Sequence, residues 1–212
     1  MASTGSKVSS STFHIFEAQW EQPATNNSYS KIIEARASGD KWVRLEVYSP
    51  PDLTRPTFKE ATSHKFRETH VGESFGPSWA THWFKIYLTI PDDLAKKDHL
   101  EFVWDANNEG MIWTEKGEVV HGLTGGGDRT QWILPKSWRD GKEHIFYVEM
   151  ACNGMFGNAP GGDSIQPPPP DKYYQLHTAE ITAVNLDARQ LHIDFWIIGG
   201  KQGDPVIWVL EY

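Results

Sequence analysis

The chain has a single cysteine, Cys152, in 212 residues. No internal disulfide can form, so a small stapled scaffold is excluded. Basic charge is also short, with 20 Lys and Arg against 28 Asp and Glu and a formal net charge of −8. A nucleic-acid footprint needs a basic face, and an anionic membrane surface needs the same, so neither nucleic acid nor membrane is an expected partner. No stretch of about 18 apolar residues could span a bilayer, and no N-terminal apolar run has the form of a signal peptide. The expectation is therefore synthesis and folding in the cytoplasm, with the sequon-like Asn26-Asn27-Ser28 unused. No internal repeat of roughly 20–50 residues is visible, which sets solenoids and propellers aside.

What the chain has in quantity is aromatic side chains. They make up 13% of residues and include ten tryptophans, the anchors of a well-filled core and of sugar-handling sandwiches alike. A period of two begins at Lys41. KWVRLEVY alternates Val43, Leu45 and Val47 against Trp42, Arg44 and Glu46, and HWFKIYLTI sets Phe84, Ile86, Leu88 and Ile90 on one face. HLEFVW does the same with Leu100, Phe102 and Trp104, and GMIWTEKGEVV folds as a hairpin around Glu115 to Glu118. TQWIL, EHIFYVEMA and YYQLHTAEITAV add further strands, and residues 59–70 have room for a short helix. Short strands parted by turn signals, with few helices, predict a mostly β protein: an antiparallel sandwich or jelly roll. The small-polar MASTGSKVSSST is expected to be disordered, and FHIFEAQW is open between a short strand and an exposed anchor. LDARQLHIDFWIIGG fits a helix through Ala188, Leu191, Phe195 and Ile198, and equally a strand through Leu191, Ile193, Phe195 and Ile197.

Chemistry is harder to find. GLTGGGDRT invites a phosphate-loop reading, but no Lys follows the glycines and Asp128 stands among them, so a glycine-rich turn between strands is expected. Cys152 has no histidine near it in sequence and reads as a small buried residue at a strand end. The nine histidines form neither HExxH nor a Cys/His cluster. His192 and Asp194 would share a face on a strand and could then hold a metal; on a helix they would point about 200° apart. Carboxylates such as Asp105, Glu109 and Asp163 are not placed by sequence in a dry pocket that would make one of them an acid. No catalytic constellation stands out.

The most specific stretch is EMACNGMFGNAPGGDSIQPPPP, Glu149 to Pro170. Asn153, Gly154, Gly157 and Asn158 suit tight or left-handed backbone, and Pro167 to Pro170 suit a stiff extended exit. Met155 and Phe156 are apolar in a turn-like run. Loops that carry such anchors usually touch something.

Four segments together carry a resemblance: SFGPSWATHWFKIYLTIP, WDANNEGMIWTEKGEVVHGLTGGGDRTQWILP, EMACNGMFGNAPGGDSIQPP and LDARQLHIDFWIIG. From about Arg36 to Gly199 the chain resembles the N-terminal region of family 38 (class II) α-mannosidases of the fungal cytosolic and vacuolar type. The resemblance implies a galactose-binding-like jelly roll with a short helix near its C-terminus, preceding a catalytic barrel. It implies an extension over residues 1–35, an accessory sandwich over 36–199 and a divergent tail over 200–212. The parent enzymes are retaining and exo-acting, with a zinc ion held by His and Asp and an Asp nucleophile, all in the barrel. No cofactor is thus expected in this chain, and a vacuolar location joins the cytoplasmic one. The family's zinc motif also contains His-Ile-Asp, but the flanks of His192 and Asp194 match instead the family's helix leading toward the barrel.

The implied partners are that barrel, other subunits of a homo-oligomer, and mannose-containing glycans. The expected docking face comprises the Met155–Phe156 loop and the helix face bearing Phe195, Trp196 and Ile198. Two alternatives remain: a free-standing carbohydrate-binding module, for which Trp113, Trp132 and Asn153, with Asn158 in the same loop, are contact candidates, and a non-functional truncated product.

Overall fold

A computed structural model describes residues 32–125, 129–153 and 169–199, with side chains described as far as Asp194. By backbone contact the chain divides into two units, Ala35–Ala183 and the flanking pair Met1–Glu34 with Val184–Tyr212.

Among the described residues, strands carry the first unit. They are β1 (Ile33–Ser38), β2 (Val43–Tyr48), β3 (Arg67–Thr69), β4 (Ser74–Phe75), β5 (Thr81–Thr89) and β6 (Leu100–Asp105). Then follow β7 (Glu109–Thr114), β8 (Val119–Thr124), β9 (Gln131–Ile133), β10 (Glu143–Ala151), β11 (Tyr174–Gln175) and β12 (Thr178–Val184). One sheet has six strands in the order β3-β2-β5-β10-β7-β8, a second has four in the order β1-β12-β6-β9, and β11 pairs with β4. The registered pairings are antiparallel, the longest matching Glu143–Ala151 with Thr89–Thr81. This is the expected β-sandwich.

Alternation along each strand builds the core. Phe84, Ile86 and Leu88 of β5 and Phe146, Val148 and Met150 of β10 are buried, as are Leu100, Phe102 and Trp104 of β6 and Ile181 and Ala183 of β12. Each large side chain so buried contributes roughly 1.5–3 kcal/mol. Aromatic edges tie the sheets together: Phe102 meets Phe146 at 5.0 Å and Phe84 meets Trp104 at 4.8 Å between centroids, both T-shaped.

A second apolar cluster lies on the outward face of the six-stranded sheet. Trp83 and Tyr147 alternate with the core residues of their strands yet are buried, with Tyr48, Phe66 and Trp113 packed beside them. Their cover is α1 (Phe58–Thr62). Five residues cannot hold a helix by propensity. A capping box holds this one: the Thr57 hydroxyl accepts from the Glu60 amide, while the Glu60 carboxylate accepts from the Thr57 amide at 2.8 Å. Phe58 then seats its ring 5.2 Å from Tyr147, 5.7 Å from Trp113 and 5.8 Å from Trp83. The β7–β8 hairpin must leave room for it. Gly117 turns at φ +83°, and a Cβ there would stand 2.7 Å from the Phe58 ring. The helical stretch is shorter than the 59–70 window: Arg67–Thr69 is instead extended and pairs with Val47–Leu45. A second short helix, α2 (Asp92–Ala95), and a 3-10 turn at Lys136–Trp138 complete the connections.

The second unit contains α3 (Leu186–Gly199). Asn185 starts it, its side-chain oxygen accepting from the Ala188 amide at 2.9 Å while its own amide donates to the Ile32 carbonyl at 2.8 Å. The segment left open between helix and strand is thus a helix. His192 and Asp194 do not share a face, and Asp194 accepts from Gln190 at 2.7 Å. No helix among the described residues is long and apolar enough to cross a membrane.

Candidate functional site

Among the described contact candidates, Trp113 and Trp132 do not share one surface. Trp132, on β9, is 9% exposed and points into the core, its ring against Phe146 at 5.2 Å and Trp138 at 5.5 Å. Trp113, on β7, lies on the outward face of the other sheet, half-buried and stacked on Phe58. Asn153 closes the end of the β7–β10 ladder: its amide group donates to Glu109 Oε2 at 2.6 Å, and its carbonyl accepts from the Glu109 amide at 3.2 Å. Met155, Phe156 and Asn158 lie outside the described residues, as do the side chains of Phe195, Trp196 and Ile198 on α3.

Cys152 and the glycine-rich segment serve the framework. Cys152 is fully buried just beyond β10, its amide donating to the Ala80 carbonyl at 2.9 Å. Burial pushes its thiol up to about 12, so it carries no thiolate at neutral pH. The glycine-rich segment joins β8 to β9. Thr124 and Arg129 bridge its mouth, with amide-to-carbonyl distances of 2.8 and 3.2 Å, and a strand rather than a helix follows it. Gly125 is sterically required, because a Cβ there would lie 2.4 Å from the Asn108 nitrogen. Among the described residues, no group of three or more His, Cys, Asp or Glu is placed to hold a metal ion.

Two features escaped the sequence reading. The first is Trp79. It is 50% exposed although its backbone is left-handed at φ +72°, a conformation rare for so bulky a residue. Its surroundings fix it: its amide donates to the Cys152 carbonyl at 3.0 Å, and the neighbouring Ser78 hydroxyl donates to the Pro169 carbonyl at 2.8 Å. The only sequence signal was the Gly76-Pro77 turn just before it.

The second is a pair of adjoining clefts. One, of about 400 Å³, is lined by Asn107 and by the run Lys172–Gln175 with His177. The other, of about 440 Å³, lies between β1, β2, β12 and the turn after β3, with Arg36, Asp40, His70 and Glu180 on its walls. His177 belongs to both. Arg36 pairs with Glu180 across the second cleft. The residues come from four separated stretches, so no local motif could show them.

Comparison with known proteins places this geometry in a family. The family described as "Alpha-mannosidase, jelly roll domain" matches residues 40–182. An α-mannosidase of Saccharomyces cerevisiae is 43% identical over 136 residues, covering 64% of this chain and 12% of that protein. α-Mannosidase G of Dictyostelium discoideum is 35% identical over 170 residues, covering 79% of this chain and 15% of that protein. α-Mannosidase 2C1 of Homo sapiens is 38% identical over 148 residues, covering 69% and 14%.

Proposed function

Given that the chain belongs to the jelly-roll domain family of α-mannosidases, we propose that it is the accessory domain of a zinc-dependent, family 38 enzyme of the fungal cytosolic and vacuolar type. In this reading it carries none of the hydrolytic chemistry. It packs on the catalytic barrel and on neighbouring subunits of a homo-oligomer. The observation that carries the reading is one of proportion: the chain spans only 12% to 16% of the length of the curated α-mannosidases it matches. The rest of such a protein has ample room for a barrel. Among the described residues no group of three or more His, Cys, Asp or Glu is placed to hold a metal ion, and burial raises the Cys152 thiol to about 12. In this reading no step of hydrolysis is assigned to this chain. Zinc and its chemistry belong to the barrel. Trp79 supplies an anchor of the type that dominates protein interfaces, a rigid, half-exposed indole on a fixed turn.

A split-protein experiment tests the proposal. The 212-residue chain is co-expressed with the remainder of the yeast relative, from which the matched segment has been deleted. Neither piece alone hydrolyses an aryl α-mannoside; together they co-purify and do so. Zinc-dependent turnover by the chain alone, surviving a chelate-and-restore cycle, would defeat the proposal. So would a remainder that is fully active and never binds the chain.

A further inference from the structure

The two clefts that meet at His177 bear on a different role, one that does not depend on docking. We propose that together they form a binding trough for a neutral oligosaccharide. Each has the volume of a small-molecule site, roughly 300–1,000 Å³. Their charges cancel. Arg36 is held by Glu180, Lys172 lies over the Tyr174 ring at 4.8 Å, and Asp40 on the second cleft's wall brings the charged groups to two of each sign. An anionic ligand would find no uncommitted cationic pair, and a cationic one would find no carboxylate pair. What the trough presents is a mixture of donors and acceptors suited to hydroxyl groups, which act as both.

The polar groups are held in place by backbone. The Asn107 amide donates to Asp105 Oδ1 at 2.8 Å, and the turn, at φ +55°, sets the Asn107 side-chain nitrogen 3.4 Å from His177 Nε2. The Gln175 side chain donates to the Gly72 carbonyl at 2.8 Å, which fixes its orientation and leaves its oxygen as an acceptor for a ligand. An aromatic wall completes the trough. Tyr173 is 58% exposed, and its ring is seated on Gly76, where a Cβ would meet it at 2.8 Å. A flat ring held rigid and open beside fixed hydrogen-bonding groups is what the apolar face of a sugar stacks upon. The relatives' own names make α-linked mannose the first probe.

The test is an amide NMR titration of the isotopically labelled chain with α-linked mannotriose and, separately, with cellotriose. The expected result is saturable movement of the Tyr173, Gln175 and His177 resonances by one or both sugars, with Kd on the order of 1 mM or tighter. Tyr173→Ala and Gln175→Ala weaken binding about tenfold or more, while Val119→Ser, on the far edge strand β8, leaves it unchanged. Unaltered amide spectra away from the trough show that the variants fold; should Tyr173→Ala fail to fold, Gln175→Ala decides. No movement with either sugar, movement mapped elsewhere, or unchanged affinity in the variants that fold would each overturn the proposal.

Discussion

Lowering the pH from 7 to 5 should destabilise this domain through one residue, His82. It sits on β5, 6% exposed, with Nδ1 2.9 Å from the Ser49 hydroxyl and the Phe75 ring edge-on at 5.3 Å. Burial is the main cause that lowers its pKa from 6.5 to about 4; the Arg67 charge adds to it, and the Gly76 carbonyl and the Glu73 carboxylate partly oppose it. The folded pKa lies below the unfolded one. Between pH 6.5 and about 4 the unfolded chain therefore binds more protons, stability falls as pH falls, and the loss levels off below that window. At ~1.36 kcal/mol per pH unit, the loss is about 2 kcal/mol by pH 5 and about 3 kcal/mol by pH 4. Folded domains have only about 5–15 kcal/mol to lose. Glu73 acts in a lower window, since Arg67 and Thr69 hold it below the ordinary carboxylate value of 4.5. Urea unfolding at pH 7, 6 and 5 is the assay. With m of ~2–3 kcal/mol/M, the midpoint should drop by about 0.7–1 M. His82→Gln, which cannot titrate, should flatten the response. A wild-type midpoint that holds from pH 7 to 5, or a His82→Gln variant that drops as far as wild type, would refute the reasoning.

Other consequences are equally direct. Phe58→Ala removes the ring that covers Trp83 and Trp113; a half-buried phenylalanine should cost about 2–3 kcal/mol, and tryptophan emission should shift to the red. An unchanged spectrum would mean that the outer cluster does not need its cover. Gly125→Ala drives a methyl group into the Asn107–Asn108 backbone and should cost about 1–3 kcal/mol by thermal melting; a neutral result would show that this turn yields. Trp79→Asn replaces a bulky residue at φ +72° with one that tolerates it. The melting temperature of the chain alone should hold or rise, while co-purification with the remainder of the yeast relative weakens.

Strand positions were legible where burial follows the local period. Phe84, Ile86 and Leu88 fall on one face by simple alternation, and that face is the core. Position on a strand did not reveal what covers its other face. Trp83 alternates outward yet is 1% exposed, because Phe58, twenty-five residues earlier, lies over it. Trp132 looked like a candidate for ligand contact because it is aromatic, but its direction is set by pairing with Phe102, thirty residues away. The α3 segment was ambiguous in period; Asn185 at its start is the local signal that favours a helix, and resemblance implied one too. Cys152 and the Gly125 turn were read from residue type alone, since small size and backbone freedom limit what either can be. The His177 clefts were invisible because chain topology, not sequence spacing, gathers their walls.

The strand order also sets a timetable for synthesis. All six strands of the larger sheet exist once Ala151 has been made, but β12, which belongs between β1 and β6, ends at Val184, 33 residues later. At ~5–20 residues per second the ribosome takes about 2–7 s to close that gap. Throughout it, β6 carries a bare edge and β1 has no neighbour within its sheet. A nascent chain with Phe102 and Trp104 on a strand paired along only one edge is a natural client for a chaperone. A ribosome that stalls between residues 151 and 184 would hold open the half of the sandwich most prone to pair with another chain.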